Sequence, residues 1–333
     1  MNAITHHTPA ATRAVPHPTH KLKWLLKREF WEHRGGFFWA PLIAGLITLL
    51  FTVLAAVGGS IAKARFGNEI VIDNGNQDET ARALGAAGDV AVMGGIVIAT
   101  IVLGFVVFFY ALGNLYDDRR DRSVLFWKSM PVSDAATVAA KAIWALLLAP
   151  LIAVAVGVVI GLALWVVAAL TTTINGVPGT SGIFTYSQPF RVVGNTLAML
   201  PLYALWALPA VGWLMLCSAA ARSKPFLWAV MLPVLGCALV SFANLVMGMN
   251  MDIGRLWYVV AFRGLLSVFP ASMVPVLGEH AVSTVNEPTD IAGVADAAHG
   301  WALAARADLW IGAVAGLLML LAAVRLRRWR DDT

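Results

Sequence analysis

The sequence predicts an all-α integral membrane protein with six transmembrane helices, an N-terminal interfacial helix and an outer re-entrant hairpin before the last span. Three observations predict it. First, 59% of the 333 residues are hydrophobic and only 13% are charged, against roughly 25% in soluble domains. The mean hydropathy is +0.75, and a soluble globule of ~300 residues leaves too much surface exposed to hide so many apolar groups. Second, the apolar residues gather into runs long enough to cross a bilayer, which takes ~20 residues for a ~30 Å hydrocarbon core. Third, the basic residues are sorted by position along the chain. Together these exclude a soluble enzyme, a disordered chain and a secreted disulfide scaffold.

Residues 1–20 are rich in Pro, Thr and His and lack an apolar period, so they read as a flexible cytoplasmic tail. Residues 21–34 (KLKWLLKREFWEHR) place Leu22, Leu25, Leu26 and Phe30 on one helical stripe, with Lys21, Lys23, Lys27 and Arg28 off it. That pattern suits a helix lying on the inner leaflet. Glu29 falls within the leucine stripe, where a lone carboxylate is costly. It needs a partner in this chain or another subunit, or else water at the headgroup level.

The spans follow at Phe37–Ile61, Val90–Gly113, Ala142–Leu170, Thr196–Ala219, Phe226–Met247 and Leu309–Val324. Pro201, Pro209 and Pro233 are expected kinks. The segment Leu256–Leu277 is apolar enough to span, but it carries Arg263, Pro270 and Pro275. Charge decides its place. With six spans, 17 of the 24 Lys and Arg residues share the side that holds both ends, and basic residues mark the cytoplasmic side. A seventh span would move Arg325, Arg327, Arg328 and Arg330 outside. Residues 256–277 therefore read as an outer hairpin covered by neighbouring helices. The whole of 21–330 is one transmembrane domain, with a loop at 114–141 and an outer segment at 248–308.

The six spans so bounded contain no Asp, Glu, Lys, Arg or His, whereas ion-coupled pumps place such groups within the bilayer. HExxH and GxxxxGK[ST] motifs are absent. Cys217 and Cys237 lie in apolar runs without metal-site spacing. The outer His280, His299, Glu279 and Asp296 form no acid–base or metal spacing. The chain is expected to hold no metal and no cofactor, to bind no nucleic acid and to catalyse no reaction itself.

The 114–141 loop (NLYDDRRDRSVLFWKSMPVSDAATVAAK) carries most of the information. Asp118 and Arg122 stand i,i+4 with the acid first, which favours a helix. Asp117 and Asp121 are one turn apart, and Arg119 and Arg120 lie between them. Val124, Leu125, Phe126, Trp127 and Lys128 follow, Pro131 stops the helix, and Ser133 is an N-cap candidate for the next one. The stretch reads either as a docking helix, with aromatic anchors and charges that set register, or as a solvated positive-inside loop. Possible polar positions along a path are Tyr110 and Asn114 at the inner end of the second span, and Ser241 and Asn244 in the fifth. Gly157-x-x-x-Gly161 and Gly312-x-x-x-Gly316 suggest close helix contacts.

In this arrangement the chain resembles the membrane subunit of an ABC-2-type ABC transporter. The features are the KREFWEHR helix before the first span, six spans with both ends inside, a charged loop ending in K-S-M-P-V-S (Lys128–Ser133), and a long outer segment before the last span. Tyr116–Ser133 is the most specific part, and the likeness covers about 21–330. The size of the outer segment departs from the compact family pattern. The resemblance implies that Tyr116–Met130 is a coupling helix on an ABC ATP-binding subunit, which would hold the ATP and Mg, and that the Glu29 region is the connecting helix beside it. It also implies a second permease subunit and export, while the apolar path favours a lipid-like, peptide or drug-like amphipathic cargo and the lack of disulfide and eukaryotic-type targeting signals fits a bacterial inner membrane. The alternative is a membrane scaffold or regulatory subunit that recruits a cytoplasmic partner and moves nothing.

Overall fold

The computed structural model describes residues 18–66, 77–121, 133–276 and 297–330. Among these, every regular element is helical, and six helical stretches are long and apolar enough to cross a bilayer. That is the architecture of a multi-pass membrane protein.

Helix α1 (Pro18–Arg34) runs through a wide π turn at Gly35–Trp39 into α2 (Ala40–Phe66). Helix α3 (Gln77–Arg120) is 44 residues long, and at 1.5 Å per residue it outreaches any hydrocarbon core at both ends. It absorbs residues 114–120, which the sequence had assigned to the loop. Helix α4 (Asp134–Ile143) begins at its expected N-cap, where the Ser133 hydroxyl accepts from the Ala136 amide at 3.2 Å. A second π turn (Trp144–Leu148) joins it to α5 (Ala149–Ile174). Helix α6 (Pro189–Ala220) stays continuous through Pro201 and Pro209. A third π turn (Leu227–Met231) leads into α7 (Leu232–Met247), and α8 (Ala307–Arg330) closes the bundle.

Each of these three π turns ends two residues before a proline, namely Pro41, Pro150 and Pro233. A proline inside a helix lacks its N–H and clashes with the carbonyl four residues back. Widening the preceding turn relieves that clash. The carbonyl left without its proline donor at Pro233 is that of Ala229, and it accepts from Trp213 Nε1 at 2.9 Å. In α6 the carbonyls three residues before its prolines are served in the same way. Ala198 O accepts from Trp301 Nε1 at 3.1 Å, and Trp206 O accepts from Arg263 Nη1 at 3.1 Å.

Glycines set the tightest helix contacts. A Cβ on Gly161 would strike the Val92 carbonyl oxygen of α3, and one on Gly95 would strike the Gly161 backbone. Gly316 of α8 meets the Leu208 backbone, and Gly212 of α6 meets Gly316. Both GxxxG patterns are thus engaged within this chain. Helix α6 is the most enclosed, with Leu202, Trp206, Ala210, Leu214 and Met215 fully buried. Helices α2 and α7 are the opposite case. Leu50, Phe51 and Leu54 on α2, and Leu239, Phe242 and Leu245 on α7, stand more than half exposed.

Between α7 and α8, residues 253–276 form a broken run of helical turns. This run is stitched to α6, where the Tyr203 hydroxyl donates to Val268 O at 2.6 Å and Trp206 Nε1 donates to Ser272 Oγ at 2.9 Å. The Phe269 ring fills the space left by Gly104 and meets Phe105 edge-on at 4.9 Å.

Candidate functional site

The site lies at the end of the bundle where α1, α3, α4 and α8 come together. Glu29, on α1, is 2% exposed. Its Oε1 is 3.1 Å from Lys141 Nζ on α4, and its Oε2 accepts from the Tyr110 hydroxyl of α3 at 2.8 Å. Lys141, 1% exposed, also reaches Asp118 Oδ1 at 3.5 Å. The other oxygen of Asp118 takes Arg327 Nη1 of α8 at 3.2 Å, and Arg327 Nε stands 3.3 Å from Asp134 Oδ1 at the start of α4. Five ionised groups thus form one line, Glu29–Lys141–Asp118–Arg327–Asp134, with a carboxylate at each end. His33 flanks it, with Nδ1 3.8 Å from Glu29 Oε2.

The burial explains the pairing. A charge taken out of water is costly unless it is paired. Here each cation bridges two carboxylates, so removing one member strands its neighbours. Aromatic rings seal the side facing α1 and α2. Phe30 and Phe37 both stack on Trp144, with centroids 5.7 and 5.3 Å away, and Tyr110 meets Phe37 edge-on at 5.0 Å. Trp144 Nε1 donates to Leu26 O at 2.7 Å and holds α1 against the π turn after α4.

A second lock ties α3 to the end of α6. Ser218 Oγ accepts from the Leu115 and Tyr116 amides at 3.2 and 3.0 Å. Arg119 Nη2 donates to Ser218 O and Ala221 O at 2.6 and 3.1 Å. The segment between α3 and α4 therefore has both stems fixed. Asp118 precedes it, Asp134 follows it, and Arg327 holds both.

The residues predicted as a docking set divide at this surface. Asp118 and Arg119 point into the bundle and serve the two locks. Asp117, Arg120 and Asp121 are exposed, and Tyr116 is half-buried. Arg122, Phe126, Trp127 and Lys128 lie outside the described residues, as do His280, Glu279 and Asp296. Glu29 has its partner within the chain. Of the four proposed path residues, Tyr110 is bound to Glu29, and buried Asn114 stands beside it without a hydrogen bond among the described residues. Ser241 and Asn244 lie at the other end of the bundle. Ser241 accepts from Trp257 Nε1 at 3.0 Å and donates to Cys237 O at 2.7 Å, while Asn244 Oδ1 accepts from the Met251 amide at 3.1 Å. The two pairs therefore do not line one surface.

Sequence reasoning missed Lys141, Asp134, Arg327 and Ser218. A usable signal existed for Lys141, since it is the cation directly abutting a long apolar run and Glu29 lacked a partner. Arg327 was read only as a topology marker. At the far end, Asp89 of α3 was also missed. Its Oδ1 accepts from Ser187 Oγ and the Gln188 amide at 2.8 and 2.7 Å, and so it fixes the start of α6.

The cluster is chemically closed, because its carboxylates are taken up by Lys141 and Arg327. Among the described residues, no group of three His, Cys, Asp or Glu side chains is placed to hold a metal. The arrangement ties the ends of α1, α3, α4 and α8 to one another. No protein-family model, curated protein or solved structure matches this chain.

Proposed function

We propose that this chain is the transmembrane subunit of an ATP-driven transporter of the ABC-2 type, exporting an amphipathic cargo. One observation supports this above the others. The segment between α3 and α4 is clamped at both stems by a buried charge line that also holds α1 and α8, with α6 locked to α3 beside it. A push on that segment is delivered to five helices at once. A purely solvated loop has no use for such a mounting, whereas a coupling element needs one.

In this reading the cluster end is cytoplasmic, with both termini there, and the membrane is a bacterial inner membrane. Helix α1 lies at the lipid interface as the connecting helix. Residues 256–277 form a re-entrant hairpin from the outer face. ATP and Mg are held by a separate ATP-binding subunit, which docks on residues 116–130. The exposed apolar faces of α2 and α7 suit contact with a second permease subunit. Closure of the ATP-binding pair would move the segment, and the charge line would pass that motion to the helices flanking the path.

The test is a tagged purification from the native membrane, with identification of what accompanies the chain and assay of ATPase activity. Asp118→Ala is a poor probe, because it breaks the internal cluster. Replacement of Asp121 to Lys128 by a Gly/Ser stretch leaves the cluster whole. The expected result is a co-purifying P-loop ATPase that is lost with this replacement. An ATPase retained after it overturns the coupling assignment. Specific recovery of a non-ATPase partner favours the scaffold reading.

A further inference from the structure

At the end of the bundle away from the charge line, a cleft of about 500 Å³ opens between α6, α7, α8 and the 258–264 turn. Its walls are apolar, with Pro209, Trp213, Leu232, Val259, Ile311 and Met319. Arg263 lies within it and is 6% exposed. The guanidinium stacks on Trp206, with Cζ 3.7 Å from the ring centroid. Nη1 donates to Trp206 O at 3.1 Å, and Nη2 to Asp308 O at 3.4 Å. These are neutral carbonyls. Among the described residues, no carboxylate comes within ion-pair distance of Arg263.

Its remaining N–H donors are thus unassigned, in a fork that suits two oxygens of an anion. The neighbouring helix leaves room for it, since a Cβ on Gly312 would collide with Nη2. Asp308 also borders the cleft, but it stands exposed in the first turn of α8, where water and the helix N-terminus stabilise its carboxylate. Gly312 is five residues into α8, about 8 Å below its end. On the other wall its stacking partner Trp206 stands midway along α6, so the guanidinium is set within the bundle, with the apolar wall beside it for a chain. The volume falls within the ~300–1,000 Å³ of small-molecule clefts.

We propose that this cleft binds an anionic membrane amphiphile, with its phosphate-class headgroup on Arg263 and its acyl chain against α7 and α8. The inference stands apart from the transporter reading. The competing role for Arg263 is to serve the carbonyls near Pro209 and nothing else.

The full chain, purified in neutral detergent, is titrated with phosphatidylglycerol, with phosphatidylcholine of the same chains, and with inorganic phosphate. Thermal unfolding and native mass are read. Phosphatidylglycerol is expected to raise Tm saturably and to remain bound, and the other two are not. Arg263→Gln should weaken the effect roughly tenfold or more. Ala315→Phe fills the apolar wall without touching the guanidinium, and it should abolish the shift in a chain that remains monodisperse. Equal shifts from both lipids overturn the proposal. So does a shift reproduced by inorganic phosphate, or one that Ala315→Phe leaves intact. Should Arg263→Gln fail to fold, the Ala315→Phe result decides.

Discussion

The two ends of the bundle handle buried charge in opposite ways. At one end, Lys141 and Arg327 each bridge two carboxylates, and the line they form joins α1, α3, α4 and α8. At the other end, Arg263 is buried almost as deeply, and among the described residues its close partners are two carbonyls and an indole face. The first arrangement is closed and rigid, because every member answers another. In the second, no carboxylate comes within ion-pair distance of the guanidinium among the described residues, the exposed Asp308 bordering the same cleft from farther off. A buried ion pair need not stabilise a fold, yet removing one partner is strongly destabilising. The charge line therefore ties α1, α3, α4 and α8 to one another through paired charges, whereas Arg263 is held by neutral groups.

The comparison is tested most severely at Lys141. Lys141→Met leaves the buried Glu29 without its lysine and Asp118 with Arg327 alone, and should cost about 3–5 kcal/mol. Thermal unfolding and size-exclusion profiles in detergent would show this as a collapse of the monodisperse peak. Adding Glu29→Gln should recover part of the loss, since the stranded charge is then gone. A Lys141→Met protein as stable as the parent would remove the charge line as a structural device.

Tyr110→Phe sharpens the same point with less damage. It deletes one hydrogen bond to the Glu29 carboxylate and leaves Lys141 in place. Hydrogen bonds to charged groups contribute about 1.5–3 kcal/mol, so a Tm drop intermediate between Lys141→Met and a neutral-contact change is expected. Gly161→Ala probes the packing between the two ends. Its methyl would meet the Val92 carbonyl oxygen, which cannot rotate away, and overpacking of this kind costs about 1–3 kcal/mol. The same unfolding assay reads it, and Gly194→Ala, where nothing stands near the new methyl, is its control.

Much of this fold was legible in the chain, and the reason is physical. A run of apolar residues is a local property, so the six helices and their order follow from hydropathy alone. The prolines predicted kinks. Of Pro201, Pro209 and Pro233, only Pro233 follows a wide turn (Leu227–Met231), α6 running continuous through the other two, while the wide turns at Gly35–Trp39 and Trp144–Leu148 stand before Pro41 and Pro150. The charge line was only half legible. Glu29 announced a need for a partner through its position in the leucine stripe. Which cation answered it is a question of helix packing, and Lys141 is more than a hundred residues away in sequence. Asp118 misled for a related reason. Its i,i+4 relation to Arg122 is a valid helical signal, but burial against Arg327 directs the side chain inward. Arg263 was noticed as an anomaly in an apolar segment, and the shape of its cleft could not be inferred without the fold.

The smallest expected effect concerns how the 253–276 turns are held to α7. Ser241 accepts from Trp257 and donates its hydroxyl hydrogen bond to Cys237 O, a neutral chain of two bonds at the rim of the bundle. Ser241→Ala leaves the indole N–H to find water, which is close at hand because the site is only half-buried. A neutral hydrogen bond contributes about 0.5–1.5 kcal/mol, and the low end applies here. The global Tm should hardly move. Hydrogen exchange should instead rise locally at residues 253–263 and stay constant at α1, α3 and α4, because among the described residues no ion pair connects the two ends. A Tm drop as large as that of Tyr110→Phe, or faster exchange spreading to the charge line, would mean that the two ends are coupled through α6. The contrast between a closed end and an open one would then give way to a single cooperative unit.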